Sequence, residues 1–169
     1  MALPRKLKFY QLSADGKGYL HDVPELTLPK LARKMVDYMS GGMDSPIKSD
    51  MGGEPMTMDW TCAGMLPEVF GQFAAQKHDA IGLRFSGAYQ SDDSEAVQTV
   101  EISVRGRHSE IDSGTAKRGE DTAIKVTSEL SYYKLTVDAK VWLEIDVINM
   151  VYIVDGKDLY ADHRTALGL

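Results

Sequence analysis

Four histidines, one cysteine and a few acidic clusters are the groups in this chain that could do chemistry, and their spacing decides which chemistry is open. His21, His78, His108 and His163 lie tens of residues apart. They show no HExxH and none of the short pairings a zinc site uses, so they read as exposed or strand-edge side chains. Cys62 is the only cysteine. It can close no intrachain disulfide, and its apolar, strand-like surroundings make it a buried thiol acting as a small hydrophobe. Gly41-Gly42, Gly52-Gly53 and Gly114 match neither the dinucleotide fingerprint nor the phosphate loop. Asp15-Gly16-Lys17-Gly18 is too short for a calcium loop and reads as a turn. Asp92-Asp93-Ser94-Glu95 could hold a cation loosely, but it separates two strand patterns, as a solvated hairpin tip does. Ser109-Glu110 is too common a pairing to mark a nucleophile. No catalytic set, metal site or cofactor site follows from these residues.

The bulk properties fit one ordinary domain. The chain has 169 residues, 43% of them hydrophobic and 26% charged, with a net charge of -6. That length buries roughly 70% of the surface an unfolded chain exposes, and the negative balance argues against sequence-specific binding to nucleic-acid phosphates. The basic start, Arg5-Lys6-Leu7-Lys8, leads into no unbroken apolar stretch of the signal-peptide kind. Nothing approaches the roughly 20 apolar residues of a membrane helix. The expectation is a soluble protein made in a reducing cytoplasm.

The elements that must position these side chains are mostly strands, because most of the chain alternates with a period of two. Met56, Met58, Trp60 and Cys62 oppose Thr57, Asp59 and Thr61; Val100, Ile102 and Val104 oppose Glu101, Ser103 and Arg105; Ile124 and Val126 oppose Lys125 and Thr127. Such alternation gives sheets with one wet and one buried face. Asp15-Gly16 predicts a tight hairpin between strands at 9–14 and 18–22, and Asp155-Gly156 is a second Asp-Gly pair. Asp138-Ala139 predicts a further hairpin, with a turn wider than two residues because alanine is poorly suited to positive φ. Two segments read as helices. In 66–76, Leu66, Val69, Phe70 and Phe73 share a face, with the phenylalanines expected to bury and hold the helix over an open end of the sheets. A shorter helix at 158–167 would end at Gly168. The fold class is all-β dominated, a sandwich or barrel with one main helix and a short C-terminal one.

Two stretches resist assignment. Residues 39–55 hold four glycines and two prolines, and read as a long extended loop. Residues 109–122 carry Glu110, Asp112, Lys117, Arg118, Glu120 and Asp121 around Gly114 and Gly119, and read as a charged loop. Loops this long are usually functional or disordered. Met35, Met56, Met58, Met65 and Met150 sit in apolar patterns as core filler, whereas Met39, Met43 and Met51 in the long loop suit an adaptable contact surface.

Motifs spread along the whole chain then narrow the reading. Pro4-Arg5-Lys6-Leu7, Leu26-Thr27-Leu28-Pro29-Lys30-Leu31 with Lys34, and Gly41-Gly42-Met43-Asp44 come first. Arg105-Gly106-Arg107, Glu110-Ile111-Asp112-Ser113-Gly114, Lys117 and Gly119-Glu120 follow, and then Tyr132-Tyr133-Lys134-Leu135, Glu144-Ile145-Asp146, Ile148-Asn149-Met150 and Leu167-Gly168-Leu169. In this order they resemble the major tail tube proteins of contractile-tailed, P2-like phages and the tube proteins of R-type bacteriocins. Gly53-Glu54-Pro55 and Asp138-Ala139 depart from that pattern locally.

The resemblance implies a barrel-like, non-enzymatic subunit without cofactor. Copies would form hexameric rings stacked into a tube inside a contractile sheath, with baseplate and tail terminator proteins as further partners. Phage DNA would pass through the lumen without specific binding, and the protein would belong to the virion tail after assembly in the host cytoplasm. Under it, Met39, Gly41, Gly42, Met43, Asp44, Ile47 and Met51 become an inter-ring contact loop that is mobile in the free subunit. Glu110, Asp112, Lys117, Arg118 and Glu120 become an inter-subunit loop, and Glu101 and Glu129, on the polar sides of their strands, become lumen-facing. Competing readings are a tube ring of a bacteriocin or type VI-like secretion system, or an unrelated β-sandwich binding module or small hydrolase.

Overall fold

The computed structural model describes residues 2–169. Strands run in chain order as β1 (Lys6–Ala14), β2 (Lys17–Gly18), β3 (Glu25–Thr27), β4 (Arg33–Tyr38), β5 (Ile47–Gly53) and β6 (Met56–Cys62). Helix α1 (Pro67–Gln72) precedes β7 (Ile81–Gln90), β8 (Val97–Asp112), β9 (Ile124–Val137), β10 (Lys140–Asp146), β11 (Val151–Val154) and β12 (Lys157–Asp158), and α2 (Ala161–Ala166) ends the chain. No helix is long and apolar enough to cross a membrane among the described residues.

One antiparallel path, β12-β11-β10-β9-β8-β7-β1-β2, carries the sheet. It branches at β9. Residues 124–130 pair with β6, and residues 132–137 pair with β10, while β8 lies along both halves. The register shifts on β8 between Arg105 and Gly106, so Ser131 is the extra residue at the branch. Gly106 is required there: a Cβ would sit 1.9 Å from the Glu129 carbonyl oxygen. The sheet then curls until its β2 end meets the β6 branch. Tyr19, just past β2, stacks on Trp60 of β6 with ring centroids 6.4 Å apart, and the Ala63 N–H donates to the Asp22 carbonyl at 2.8 Å. A single core fills the curl, with Leu12, Met58, Trp60, Phe85, Val104, Ile124 and Val126 buried. Each such side chain contributes about 1.5–3 kcal/mol.

Three two-residue turns share one device. Asp15-Gly16, Asp138-Ala139 and Asp155-Gly156 all have positive φ at both residues, the signature of tight hairpins matched to strand twist. In each, the aspartate N–H donates to a carbonyl on a third strand: Gly82, Thr99 and Trp142. The Asp138 carboxylate also accepts the Thr99 N–H at 3.0 Å. This docking holds Ala139 at φ 64°, so the turn expected to be wider is a two-residue one.

Other expectations fail for local reasons. Helix α1 has only six residues and one inward position, Val69, which is buried, leaving Phe70 and Phe73 41% and 49% exposed. Met35 and Met65 are exposed too, since β4 leaves the main sheet and Met65 lies in the approach to α1. His108 is buried, not at an edge. Its Nδ1 lies 2.9 Å from Ser128 Oγ, and its Nε2 lies 3.4 Å from Gln72 Oε1. Trp60 Nε1–H donates to the same serine oxygen, and Gln72 Nε2–H donates to Asp15 at 2.8 Å. The Gln72 oxygen can only accept, so Nε2 carries the proton and the serine hydroxyl donates to Nδ1. This chain of satisfied groups ties α1 to the core and to the first turn. Burial pushes the His108 pKa down to about 4.

Candidate assembly interface

The segment at 39–55, expected as a loop, is half of a hairpin. β5 pairs with β4 in a two-stranded sheet of its own, with Val36 opposite Ser49, Asp37 opposite Lys48 and Tyr38 opposite Ile47. Alternation from that register sorts the side chains by face. Val36, Tyr38 and Ile47 share one face, 44%, 55% and 54% exposed. Asp37 and Lys48 share the other and form an ion pair at 2.5 Å. Two of the four glycines that suggested a loop, Gly52 and Gly53, lie at the register shift near Arg33, where Gly52 takes φ 116°. Met39, Gly41, Gly42, Met43 and Asp44 fall in the tip, and Met51 lies on β5, exposed. An isolated two-stranded hairpin is marginal in water, and neither strand packs extensively on another element.

The arm is fixed at its root. Arg33 donates to both carboxylate oxygens of Asp50 at 3.1 and 2.8 Å and to the Tyr160 hydroxyl at 3.1 Å, with its guanidinium 5.4 Å from the Tyr152 ring centroid. Arg33 and the Gly52 N–H hold the Asp50 carboxyl below the usual carboxylate range. Beside this hub opens an apolar cleft of about 540 Å³, lined among others by Leu31, Met56, Leu130, Ile145, Val147 and Met150. Its rim is a locked turn. Burial pushes the Asp146 carboxyl up, but three hydrogen bonds from Ile148 N, Asn149 N and Asn149 Nδ2 outweigh that and hold it low. Arg164 donates to the Met150 carbonyl at 2.7 Å, holding that residue at φ 52°. Val147 and Ile148 are thereby presented 57% and 59% exposed.

The charged segment is shorter than expected. Residues 109–112 complete β8, so Glu110 and Asp112 lie on a strand opposite Thr127 and Lys125. Only 113–123 form a loop, with a turn closed from Lys117 to Glu120 in which these two side chains form an ion pair at 2.5 Å. Lys117, Arg118 and Glu120 are exposed. Among the described residues, the only ion pair of this loop is its own Lys117–Glu120 pair.

Glu101 and Glu129 lie on the same, outward face of the sheet, on either side of the branch: Glu101 is opposite Ser86 and Thr136, and Glu129 opposite Thr57 and Arg107. Around Glu129 the face also carries Glu25, Asp59, Glu110 and Asp112 against Lys125 and Arg107, so it is acidic. Around Glu101 the charges mix: Arg84, Arg105 and Lys134 stand with Glu144 and Asp146. Arg105 lies 4.0 Å over the Tyr132 ring, and burial together with the Glu144 hydrogen bond pushes the Tyr132 hydroxyl up to about 12.

Among the described residues, no group of three or more His, Cys, Asp or Glu side chains that could hold a metal ion occurs. Comparison with known proteins agrees with a role in assembly. The family model of the phage tail tube protein FII matches residues 4–168. The chain belongs to that family. It is 40% identical to the tail tube protein of Escherichia phage P2 over the full length of both chains. It is 39% identical to the major tail tube protein of Serratia phage KSP20, covering all of this chain and 99% of that one. Among solved structures, a chain of the sheath-tube complex of an extracellular contractile injection system superposes with a TM-score of 0.62 at 8% identity, covering 79% of this chain and 91% of that one. A chain of the sheath/tube terminator of that system gives 0.60 at 10% identity, with 79% and 96% coverage. At such identities the likeness is one of fold, and it confirms the expected tail tube architecture.

For a tail tube subunit, the residues that sequence reasoning missed are those of the arm root and the cleft. Arg33, Tyr160, Val147 and Arg164 lie outside the motifs of the sequence, and Asp146 lies in Glu144-Ile145-Asp146 with no role of its own expected there. The one usable signal was Asp146-Val147-Ile148-Asn149, where adjacent β-branched residues sit between two turn formers.

Proposed function

We propose that this tail tube subunit forms hexameric rings that stack into a hollow tube within a contractile sheath, a non-enzymatic conduit for phage DNA in the virion tail. The observation that carries the reading is the end-to-end match to two phage tail tube proteins. Sheath, tail terminator and baseplate proteins are the partners it implies, with assembly in the host cytoplasm. Both relatives come from phages, which favours a DNA conduit over a bacteriocin particle. On this reading Glu101 and Glu129 face the lumen, where carboxylates keep a polyanion from sticking. Glu110, Asp112, Lys117, Arg118 and Glu120 meet a neighbouring subunit, and the 33–53 arm meets the next ring.

Negative-stain microscopy of the purified chain across a concentration series tests this, with hollow tubes of uniform width expected. Monodisperse monomers at every concentration would overturn it. A density map of the tube with Glu101 and Glu129 on its outer wall would overturn the lumen assignment alone.

A further inference from the structure

Helix α2 buries none of its residues, so the core does not need it. Its bonds run instead toward the root of the arm. We propose that α2, with Tyr160 just before it, is a stop that fixes the direction of the 33–53 arm in the free subunit, Tyr160 being the positioning residue.

The arm joins the body through two chain crossings. Residues 28–32 lead from β3 into β4, and Glu54-Pro55 lead from β5 into β6. The Glu54 N–H donates to the Ala32 carbonyl at 2.9 Å, so the crossings lie side by side. Two adjacent crossings define an axis, and a hairpin rocks about such an axis against little more than backbone torsions. Gly52, at φ 116°, and Gly53 leave one crossing without the side chains that would stiffen it. A third point of attachment, outside both crossings, is needed to set the angle.

Arg33 supplies that point. Its Nε–H donates to both carboxylate oxygens of Asp50, which clamps β4 to β5, and its Nη2–H donates to the Tyr160 hydroxyl at 3.1 Å. The guanidinium is planar, so both sets of bonds are made in one fixed orientation, and the arm cannot turn without losing one of them. Tyr160 is itself held. Its ring lies 5.4 Å from that of Tyr152 and 5.5 Å from that of His163, and its N–H donates to Asp158 at 3.0 Å. Arg164 then fastens α2 to the body, donating to Asp158 on β12 at 2.5 Å and to the Met150 carbonyl at 2.7 Å. The helix is a bracket with its foot on β12 and the turn before β11, and its head against Arg33. The mobility expected of this segment is then left to the tip at 39–46.

The consequence rests on the tube reading. Arms pointing away from the next ring lower its apparent affinity in proportion to their share of the population. A direction set in advance keeps that share small and removes part of the ordering cost of contact.

The test reads the free subunit, at a concentration below tube formation. Cys62 is buried with its pKa pushed up to about 11, so spin labels attach to introduced cysteines without background. Ile47→Cys, at the far end of β5, and Glu95→Cys, between β7 and β8, report the angle of the arm to the body. Pulsed dipolar spectroscopy should give one narrow separation. Adding Tyr160→Phe removes the hydroxyl and keeps the ring, and should broaden that separation with the melting temperature unchanged. Arg164→Gln unfastens the helix instead, and should broaden it too. An unchanged width in Tyr160→Phe would overturn the stop, as would a broad separation before either substitution. None of these outcomes requires tubes. A wild-type chain that forms none in the concentration series would sink the tube reading and leave the stop standing.

Discussion

At the scale of single residues, two positions are out of character, and each yields a measurement. Ala139 sits at φ 64°, a left-handed conformation that costs residues other than glycine and asparagine strain. Ala139→Gly should raise stability by about 1 kcal/mol, read as a higher urea midpoint with unchanged slope. His108 is the second. Its folded pKa of about 4 lies below the ordinary 6.5 because burial disfavours the charged ring. Between those values the unfolded chain takes up a proton that the folded chain refuses, so stability is full above pH 6.5 and falls as pH drops toward 4. The loss should be about 2 kcal/mol after solvent screening. In His108→Gln the same pH titration of unfolding should be flatter across that window. An identical slope would show that other groups set it.

At the scale of elements, the alternating strands were legible because each has one buried face: β6 and the first half of β9 follow the predicted pattern residue by residue. Elements that alternation does not describe were misread. β5 buries neither face, so its residues give no core signal, and its glycines mimic a loop. Helix α1 is too short for its apolar stripe to reach the core beyond Val69. The end of β8 was hidden by its charges, which a strand edge tolerates as readily as a loop does. The arm face was half visible, since Ile47 and Met51 were marked as anchors while the root hub of Arg33 was not. The branch at β9 was marked in the sequence only by the Arg105-Gly106-Arg107 motif, with its reason supplied by the register. Gly106→Ala would drive a methyl into the backbone carbonyl of Glu129, which cannot swing aside as a side chain could. It should cost about 3 kcal/mol or more, a fall of about 10 °C in melting temperature, or prevent soluble expression.

At the scale of the molecule, core and arm are separable. No residue of β4 or β5 is buried, so the core does not depend on them. Replacing residues 39–51 with a short Gly-Ser link should leave melting within about 2 °C of wild type while tubes no longer elongate. Calorimetry and negative-stain images of one preparation check both halves. A drop of ten degrees or more would show that the arm supports the body. The ring interface should respond differently. Reversing charge at Lys117 and Arg118 together should weaken ring formation at low salt and less so at high salt, since exposed pairs are screened. Unchanged sedimentation at both would place that loop outside the interface.

The pairing of β8 with β9 has a mechanical consequence. Its register runs from Val100 opposite Val137 to Asp112 opposite Lys125, the longest in the molecule. Antiparallel hydrogen bonds stand perpendicular to their strands. A load directed along these strands would therefore be shared by the whole row in shear, where a load across them would break the bonds one after another. Gly106 and Ser131 mark one register shift in that row, and Ser109 marks a second between His108 and Glu110. A wall built from such pairs is stiff along the strand direction and compliant at the two register shifts of each subunit.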